Sequence, residues 1–208
     1  MRILLITNDW FPKKGGISTY LANLVDSVDH EFVIYAPKWV EGENTIAASS
    51  DFLVNSKATV NEITEIVHTE NIDIILHGSS NPQFLLVNKL DQISNLNNPK
   101  NIKIPQYMIC HGAEFNILNY IPVVRRLLRK SLNKLNKIFT VSEFSKKKLQ
   151  DITDTEIINI GAGIEVPAFN KEFDTNKVLK IGVMSRFVSR KKIDWVIDAV
   201  HELKETGY

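Results

Sequence analysis

The order of apolar and polar residues at the start of the chain predicts a strand, a loop and a helix. Residues Ile3–Ile6 form an apolar run without alternation, which is typical of a parallel strand buried on both faces, so we place this strand near the centre of a sheet. A polar loop from Asn8 to Lys14 and the pair Gly15-Gly16 follow it. After the glycines, apolar residues recur at the spacing of one helix face: Ile17, Tyr20, Leu21, Leu24, Val25 and Val28.

The same alternation of strand and helix continues along the chain. Further strands are predicted over 31–36, 73–77, 104–110, 137–141 and 156–160. Helices are predicted around 60–67, 82–93 and 122–135, and over 143–150, where Ser142 is a suitable N-cap. Residues 39–56 have no pattern that assigns an element. Strands that alternate with helices indicate an α/β fold with a doubly wound, mainly parallel sheet.

A change of pattern near residue 165 divides the chain. Residues 165–177 are polar and lack periodicity, so we interpret them as a linker after a first domain of residues 1–164. Beyond it, a strand over 178–184 and a helix from Ile193 to about Lys204 are predicted. One strand and one helix cannot bury their own apolar faces. We therefore expect 178–208 to be the opening unit of a truncated domain, packed on the first sheet or paired between chains in a homo-oligomer.

Composition and charge exclude several classes of protein. Of the 208 residues, 44% are hydrophobic and 24% are charged, which is typical of a globular protein. The formal net charge of +1 gives no general attraction to nucleic acid. The single cysteine, Cys110, cannot form a disulfide within the chain and fits a reducing compartment. Signal-peptide patterns and apolar runs of about 18 residues are absent. We therefore predict a cytoplasmic protein, either free or bound peripherally to the inner face of a membrane.

The motifs of several enzyme classes are missing from the sequence. The loop after the first strand lacks the GxGxxG spacing of dinucleotide-binding folds, and GxxxxGK followed by Ser or Thr occurs nowhere. The motifs CxxC, HExxH and GxSxG are also absent. We therefore predict neither a bound cofactor nor a metal site.

Two features at predicted strand ends are candidates for ligand binding. Ligands of parallel sheets bind at the carboxyl ends of the strands, where both the Gly15-Gly16 loop and His111 would lie. The glycines either admit a ligand to the free N–H groups of the helix start or make a tight turn. His111 either donates hydrogen bonds and exchanges protons in the crevice or has a structural role. Its neighbour Cys110 would face the opposite side and lie in the core.

Two groups of basic residues are also candidates. Four cations lie within seven residues between the last predicted strand and helix, where they would bind a diphosphate or form a solvated turn: Arg186, Arg190, Lys191 and Lys192. The predicted helical segment 121–137 has no acidic residue. It either lies on an anionic membrane surface or covers the sheet with its apolar side. The membrane-surface candidates on it are Arg125, Arg126, Arg129 and Lys130.

Five segments, taken in chain order, resemble one family. They are GGISTYLANL, HGAE, FTVSEFSKKKL, INIGAGIE and IGVMSRFVSRKKIDWVIDAV. Together they resemble the retaining glycosyltransferases of family 4, whose GT-B fold consists of two Rossmann-like domains. The resemblance covers nearly the whole chain. It implies that residues 1–164 are the amino-terminal, acceptor-side domain and that 178–208 begin the donor-binding domain.

The resemblance also implies roles for single residues. Gly15 and Gly16 would face the donor phosphates and the acceptor, His111 would be the catalytic residue near the transferred sugar, and Glu114 would contact acceptor or sugar. The basic pair that binds the donor diphosphate and stabilises the leaving group would be Arg186 and Lys191.

The chain departs from the family pattern at three positions that bear on the donor site. Ser185 and Lys192 stand where the family usually has glycine, and Ala162 stands where it commonly has asparagine. The acidic motif that binds the ribose and the donor sugar is absent.

The resemblance implies that a sugar is transferred with retention from a nucleotide-diphosphate sugar to a glycan or lipid-linked acceptor in cell-surface polysaccharide synthesis. Because the donor motif is absent, we expect the chain alone to be inactive. The alternative is a non-catalytic binding or scaffold domain derived from such an enzyme. In either case, we expect the loop from Asn8 to Gly16 to be mobile, since no donor orders it.

Overall fold

The computed structural model describes residues 1–91, 93, 103–112, 121–163, 180–185 and 187–206. The chain divides into two units, Met1–Ile164 and Glu165–Tyr208. The first unit contains the strands β1 (Arg2–Ile6), β2 (Glu31–Ala36), β3 (Thr45–Ala47), β4 (Ile74–His77), β5 (Gln106–Cys110), β6 (Lys137–Thr140) and β7 (Ile157–Asn159). Its helices are α1 (Gly16–Ser27), α2 (Lys57–Thr69), α3 (Phe84–Leu90), α4 (Pro122–Leu132) and α5 (Glu143–Gln150).

The strands described in the first unit form one parallel sheet. Their order is β3-β2-β1-β4-β5-β6-β7, and each neighbouring pair is parallel. Strand β1 pairs with β2 on one side and with β4 on the other, so it lies inside the sheet as predicted. The predicted α/β class with a doubly wound parallel sheet is confirmed.

The side chains of β1 contribute to two apolar layers, one on each face of the sheet. Leu4 and Ile6 pack in a cluster with residues of α2 and α3. Ile3 and Leu5 pack in a second cluster with Leu21 of α1. Because both faces are covered by helices, the strand needs apolar residues at every position, which explains the run without alternation.

Two sequence predictions fail at the margins of the fold. Strand β3 was not predicted, because its three residues carry no period and half-buried edge positions give a weak apolar signal. The strand predicted over 178–184 is wrong for residues 180–184, which form no strand and are exposed. A strand needs a neighbour to accept its backbone hydrogen bonds, and none of the described residues pairs with this segment.

The second unit consists, as far as it is described, of a short 3₁₀ turn at Ser189–Lys191 and helix α6 (Ile193–Glu205). The predicted helix is confirmed. No described residue of this unit is buried, and Trp195 and Ile197 of α6 are 63% and 64% exposed. The predicted linker over 165–177 lies outside the described residues.

A buried histidine ends β4. His77, at the end of β4, is fully buried, and its Nε2 donates to Oε1 of Gln106 at 3.0 Å. Its Nδ1 has no hydrogen-bond partner among the described residues. Burial lowers the pKa of His77 to about 4 from an ordinary value of 6.5, and the bond to Gln106 only partly offsets this effect. His77 is therefore neutral in the folded protein near pH 6.

We predict that His77 makes the free energy of unfolding fall as the pH drops from about 6.5 towards 4. In this window the unfolded chain binds a proton at His77 and the folded chain does not, which corresponds to a loss of about 3 kcal/mol over the full window. Urea unfolding of His77→Gln at several pH values should lack this slope. The exposed His30, replaced in His30→Gln, is the matched control. An unchanged slope in His77→Gln would contradict the assignment.

Gly78 lies at the closest approach between β1, β4 and α1. A Cβ at Gly78 would come within 2.9 Å of Cδ1 of Leu21 and 3.1 Å of Cβ of Thr7, whereas a Cβ at Gly16 would meet nothing within 4 Å. We predict that Gly78→Ala lowers the free energy of unfolding by roughly 1–3 kcal/mol through overpacking. Gly16→Ala, the control at an open helix position, should change it by less than about 1 kcal/mol. Thermal unfolding of both variants measures this, and equal stabilities would refute the packing argument.

Candidate functional site

The candidate site lies at the carboxyl ends of the strands, where the order of the sheet reverses. The chain passes from β1 to β2 on one side, and β4 lies on the other side of β1. In doubly wound sheets this switch point opens a crevice for a ligand. The loop that begins at Thr7 leaves β1 here, and Gly78 leaves β4 beside it, with its N–H donating to the Ile6 carbonyl at 2.8 Å.

His111 follows β5 directly and is held at this edge of the sheet. Its Nε2 lies 2.9 Å from the carbonyl oxygen of Gly78. A carbonyl oxygen can only accept, so Nε2 carries the proton and donates it. The ring of Tyr20, from α1, contacts the imidazole edge-on with 5.4 Å between the ring centroids. His111 is half-buried, so it lies at the boundary between the protein and the crevice.

The residue after His111 has to be a glycine. Gly112 has a φ of +96°, and a Cβ there would clash with the Ser145 hydroxyl oxygen. The chain therefore turns sharply after His111 and packs against the first turn of α5, whose N-cap is Ser142 as predicted. This turn keeps His111 at the end of the strand.

The pair Gly15-Gly16 begins α1 and is exposed. Gly15 is the N-cap in extended conformation, with φ of −162°, and its N–H donates to the Ser18 hydroxyl at 2.8 Å. Neither glycine has a positive φ, and a Cβ on Gly16 would meet no atom. Backbone conformation and packing thus give no reason for two glycines here. Open space at the exposed start of a helix is the feature that a close-approaching anionic ligand requires.

The loop before the glycines is packed in its first half. Nδ2 of Asn8 donates to the Leu53 carbonyl at 3.1 Å, and the Leu53 N–H donates back to Oδ1 of Asn8 at 2.7 Å. Asn8 and Trp10 are buried, whereas residues 12–16 are exposed. The expectation of a loosely held loop is therefore wrong for Asn8–Trp10, because the polar residues bond to the neighbouring chain and Trp10 joins the core.

Asp9, in the same loop, is an acidic residue at this edge of the sheet that was not named as a candidate from the sequence. It is half-buried, and burial raises its pKa, while attraction to His111 lowers it by a smaller amount. Burial also raises the pKa of the Tyr20 hydroxyl, which donates to the Gly161 carbonyl at 3.2 Å. An acidic residue just after a buried central strand was the available signal for Asp9. The contact of Tyr20 with His111 depends on tertiary structure and left no such signal.

Three other predicted site residues are either not described or lie in the second unit. Glu114 and Arg186 lie outside the described residues. Lys191, the second member of the predicted diphosphate pair, is exposed in the 3₁₀ turn of the second unit. Lys192 follows it in the left-handed region, with φ of 50° and ψ of 44°. This conformation favours glycine, the residue usual at this position in the family that the chain resembles.

The predicted basic surface is on α4. The side chains that the membrane hypothesis names are exposed: Arg125, Arg126, Arg129 and Lys130. Leu128 and Leu132 are buried against the core, so the apolar side of the helix covers the sheet, as the alternative held. Val123 and Leu127, however, are 78% and 40% exposed. The outer surface of α4 therefore combines cations with exposed apolar side chains.

Spanning helices and clusters of metal ligands are not found in the part of the chain that the structure describes. None of the described helices is both long enough and apolar enough to cross a bilayer. The described residues likewise contain no group of three or more His, Cys, Asp or Glu side chains arranged to hold a metal ion.

Comparison with known proteins gives a consistent set of relatives. No family model matches the chain. The GDP-mannose-dependent alpha-(1-6)-phosphatidylinositol monomannoside mannosyltransferase of Mycolicibacterium smegmatis is 25% identical over 97% of this chain and 57% of the relative. The mannosyltransferase of the same name from Mycobacterium tuberculosis is 21% identical over 98% of the chain. An uncharacterized glycosyltransferase of Methanocaldococcus jannaschii is 27% identical over 96% of the chain and 57% of the relative.

Among solved structures, a sucrose-phosphate synthase from Thermosynechococcus elongatus aligns with a TM-score of 0.48 and 12% identity, covering 78% of this chain and 90% of that one. The chain spans 57% of the length of the curated relatives it matches. These relatives are named as mannosyltransferases or glycosyltransferases, and the similarity extends along nearly the whole of the present chain. The comparison therefore confirms the resemblance to glycosyltransferases that the motifs indicated.

Proposed function

We propose that this chain is the acceptor-side part of a retaining glycosyltransferase with the GT-B fold. It would act in the transfer of a sugar from a nucleotide-diphosphate sugar to a glycan or lipid-linked acceptor. The observation that carries the proposal is the contact of His111, at the carboxyl edge of the sheet, with Tyr20 on the helix that Gly15-Gly16 begins, in a chain similar to glycosyltransferases. Retention of configuration comes from the family resemblance alone.

A contact from α1 supports a shared site of the glycine pair and His111. Tyr20, on the helix that the glycines begin, touches the ring of His111. The exposed start of a helix suits a phosphate, and an N–H donor of the histidine suits a sugar hydroxyl or a phosphate oxygen.

The donor diphosphate would need the second unit as well. Arg186 and Lys191 are the proposed diphosphate ligands, since guanidinium and ammonium groups stabilise negative charge as it develops on a leaving phosphate. Glu114 is proposed to contact the acceptor or the sugar. GDP-mannose is the first donor to test, because two relatives are named as GDP-mannose-dependent enzymes. No cofactor or metal is part of the proposal.

We propose that the enzyme reaches its acceptor at a membrane surface. The outer side of α4 has exposed cations beside exposed Val123 and Leu127, a combination that binds an anionic interface through both charge and apolar insertion. Two relatives are named for an acceptor that is itself a phosphatidylinositol lipid. A protein that works from the inner face of a membrane on such a lipid would need this kind of surface.

A non-catalytic binding domain is the second candidate function. It is supported by the departures from the family pattern that bear on the donor site, namely Ser185, Lys192 and Ala162. The DNA sequence beyond the codon for Tyr208 separates the two candidates. A continued donor domain with the acidic motif that the family resemblance implies favours the enzyme, and a stop codon favours the binding domain.

We predict that the purified 208-residue chain does not transfer mannose from radiolabelled GDP-mannose to phosphatidylinositol monomannoside in vesicles above a protein-free control, because residues 1–208 do not include the acidic donor-binding motif that the family resemblance implies. The Mycolicibacterium smegmatis mannosyltransferase is the positive control. Fusing the chain to the part of that enzyme beyond the matched region should restore transfer, and His111→Gln in the fusion should abolish it. Robust transfer by the chain alone would refute the predicted inactivity. A folded but inactive fusion would favour the binding domain.

We predict that the chain co-sediments with vesicles containing phosphatidylinositol and that replacing the four α4 cations by glutamine weakens this binding at least tenfold. Each basic residue near an anionic surface contributes about 1 kcal/mol. The variant combines Arg125→Gln, Arg126→Gln, Arg129→Gln and Lys130→Gln. A control with the same loss of charge on other elements replaces the exposed Lys38, Lys57, Lys103 and Lys204 by glutamine. Equal loss in both variants would show that net charge, and not α4, determines the binding.

A further inference from the structure

The loop that leads from β1 to Gly15-Gly16 is attached to the rest of the chain at both of its ends. At its start, the side chain of Asn8 exchanges two hydrogen bonds with the backbone of Leu53, at 3.1 and 2.7 Å. At its end, the carbonyl of Gly15 accepts from the Thr19 N–H at 3.0 Å, inside α1. The contacts of the exposed residues between these two ends therefore determine how firmly the glycines are held in place.

The middle of this loop contacts the chain that follows β2. The ammonium of Lys13 lies over the ring of Trp39, with 3.7 Å between Nζ and the ring centroid, which is the geometry of a cation–π contact. Two residues before Lys13, the carbonyl of Phe11 accepts from the Glu41 N–H at 3.3 Å. One side-chain contact and one backbone hydrogen bond thus connect the loop after β1 with the loop after β2.

Trp39 is itself fixed by the chain that follows β3. Its Nε1 donates to the Asp51 carbonyl at 3.0 Å. The neighbouring Lys38 pairs through its ammonium with the Asp51 carboxylate, also at 3.0 Å. The same segment supplies Leu53, the hydrogen-bond partner at the start of the loop. This segment therefore supports the glycine loop twice, directly at its start and through Trp39 at its middle.

The contact of Lys13 with Trp39 is not part of the packing of the core. Lys13 is exposed, and within the described residues it forms no ion pair. Trp39 is half-buried and belongs to none of the buried apolar clusters. The effect of the contact is therefore local, and it falls on the loop that carries the glycines to the open start of α1.

We propose that Trp39 is a positioning residue that, through Lys13, holds the glycine loop in the conformation that presents Gly15-Gly16 to a ligand. We call Lys13 and Trp39 the loop anchor. The ligand rests on the proposed function, in which a phosphate of the sugar nucleotide approaches the glycines, whereas the anchor rests on the contacts described above. A loop that is already ordered loses less conformational freedom on binding, so the anchor favours binding without a contact to the reacting atoms.

The contact is tested on the ligand-free chain by NMR of the lysine side chains, with the Lys13 signal assigned from Lys13→Met. The ring current of Trp39 should shift the Hε protons of Lys13 upfield. Trp39→Leu should abolish this shift, and Trp39→Phe, which retains an aromatic face, should retain part of it. Trp195→Leu removes another lysine–tryptophan contact, in the second unit, and as the matched control should leave the shift unchanged. A Lys13 signal at the ordinary lysine position in the wild type would overturn the proposal.

Hydrogen exchange shows whether the contact restrains the loop. The informative amides are those of Glu41 and Gly15, whose hydrogen bonds lie on either side of Lys13. Lys13→Met and Trp39→Leu should each lower their protection factors about two- to fivefold, the range that an exposed cation–π contact corresponds to. The double variant should be no less protected than Trp39→Leu, because both changes remove the same interaction.

The exposed neighbour Lys14 provides the matched control for charge, since it has no ring contact among the described residues. Lys14→Met should leave the protection factors and the melting temperature unchanged. Lys13→Met should also keep the melting temperature of the wild type, because the contact is local. Equal loss of protection in Lys13→Met and Lys14→Met would refute the anchor. A lower melting temperature of Lys13→Met with unchanged protection of the loop would make the contact structural and refute it as well.

Addition of GDP-mannose distinguishes failure of the anchor from failure of the proposed function. If both are correct, GDP-mannose shifts the amide signals of Gly15 and Gly16 in the wild type and shifts them less, at the same concentration, in Trp39→Leu. If these signals do not respond in the wild type while the ligand-free variants differ as expected, the anchor stands and the proposed donor contact fails. If the wild type and Trp39→Leu respond equally and their ligand-free loops are equally protected, the anchor fails and the donor contact stands.

Discussion

The structure depends on the pairing of β1 with β2 on one side and β4 on the other. This double pairing requires apolar side chains on both faces of β1, and it brings α1 to one face and α2 and α3 to the other. It also places the loops after β1 and β4 next to each other at the carboxyl edge. The crevice is therefore a consequence of strand order, and the residues that line it come from segments far apart in the chain.

Close packing at this edge accounts for the residues that surround His111. Gly78 is small enough for α1 to approach the sheet, and its carbonyl is then within reach of the histidine. Gly112 turns the chain after the strand and lets α5 pack beside it. Tyr20 reaches His111 because α1 lies so close. Packing of the core and the geometry of the candidate site are thus produced by the same small residues.

Two titratable groups with shifted pKa values, His77 and Asp9, differ in their surroundings. His77 is fully buried and bonded to Gln106, and its low pKa keeps it neutral near pH 6. Asp9 is half-buried in the loop after β1, at the edge of the sheet where ligands of such folds bind. A perturbed pKa alone therefore does not identify a functional residue. What separates the two residues is their access to solvent at that edge.

The sequence by itself determined the α/β class, the central strand, most element boundaries and the importance of His111, because these follow from local periodicity and from the rule that ligands bind at strand ends. Its motifs also indicated the resemblance to glycosyltransferases. Tertiary structure alone decided that β3 forms at the edge, that residues 180–184 form no strand, and that Tyr20 contacts His111. These outcomes depend on pairing partners and contacts between distant segments, and no local pattern encodes them.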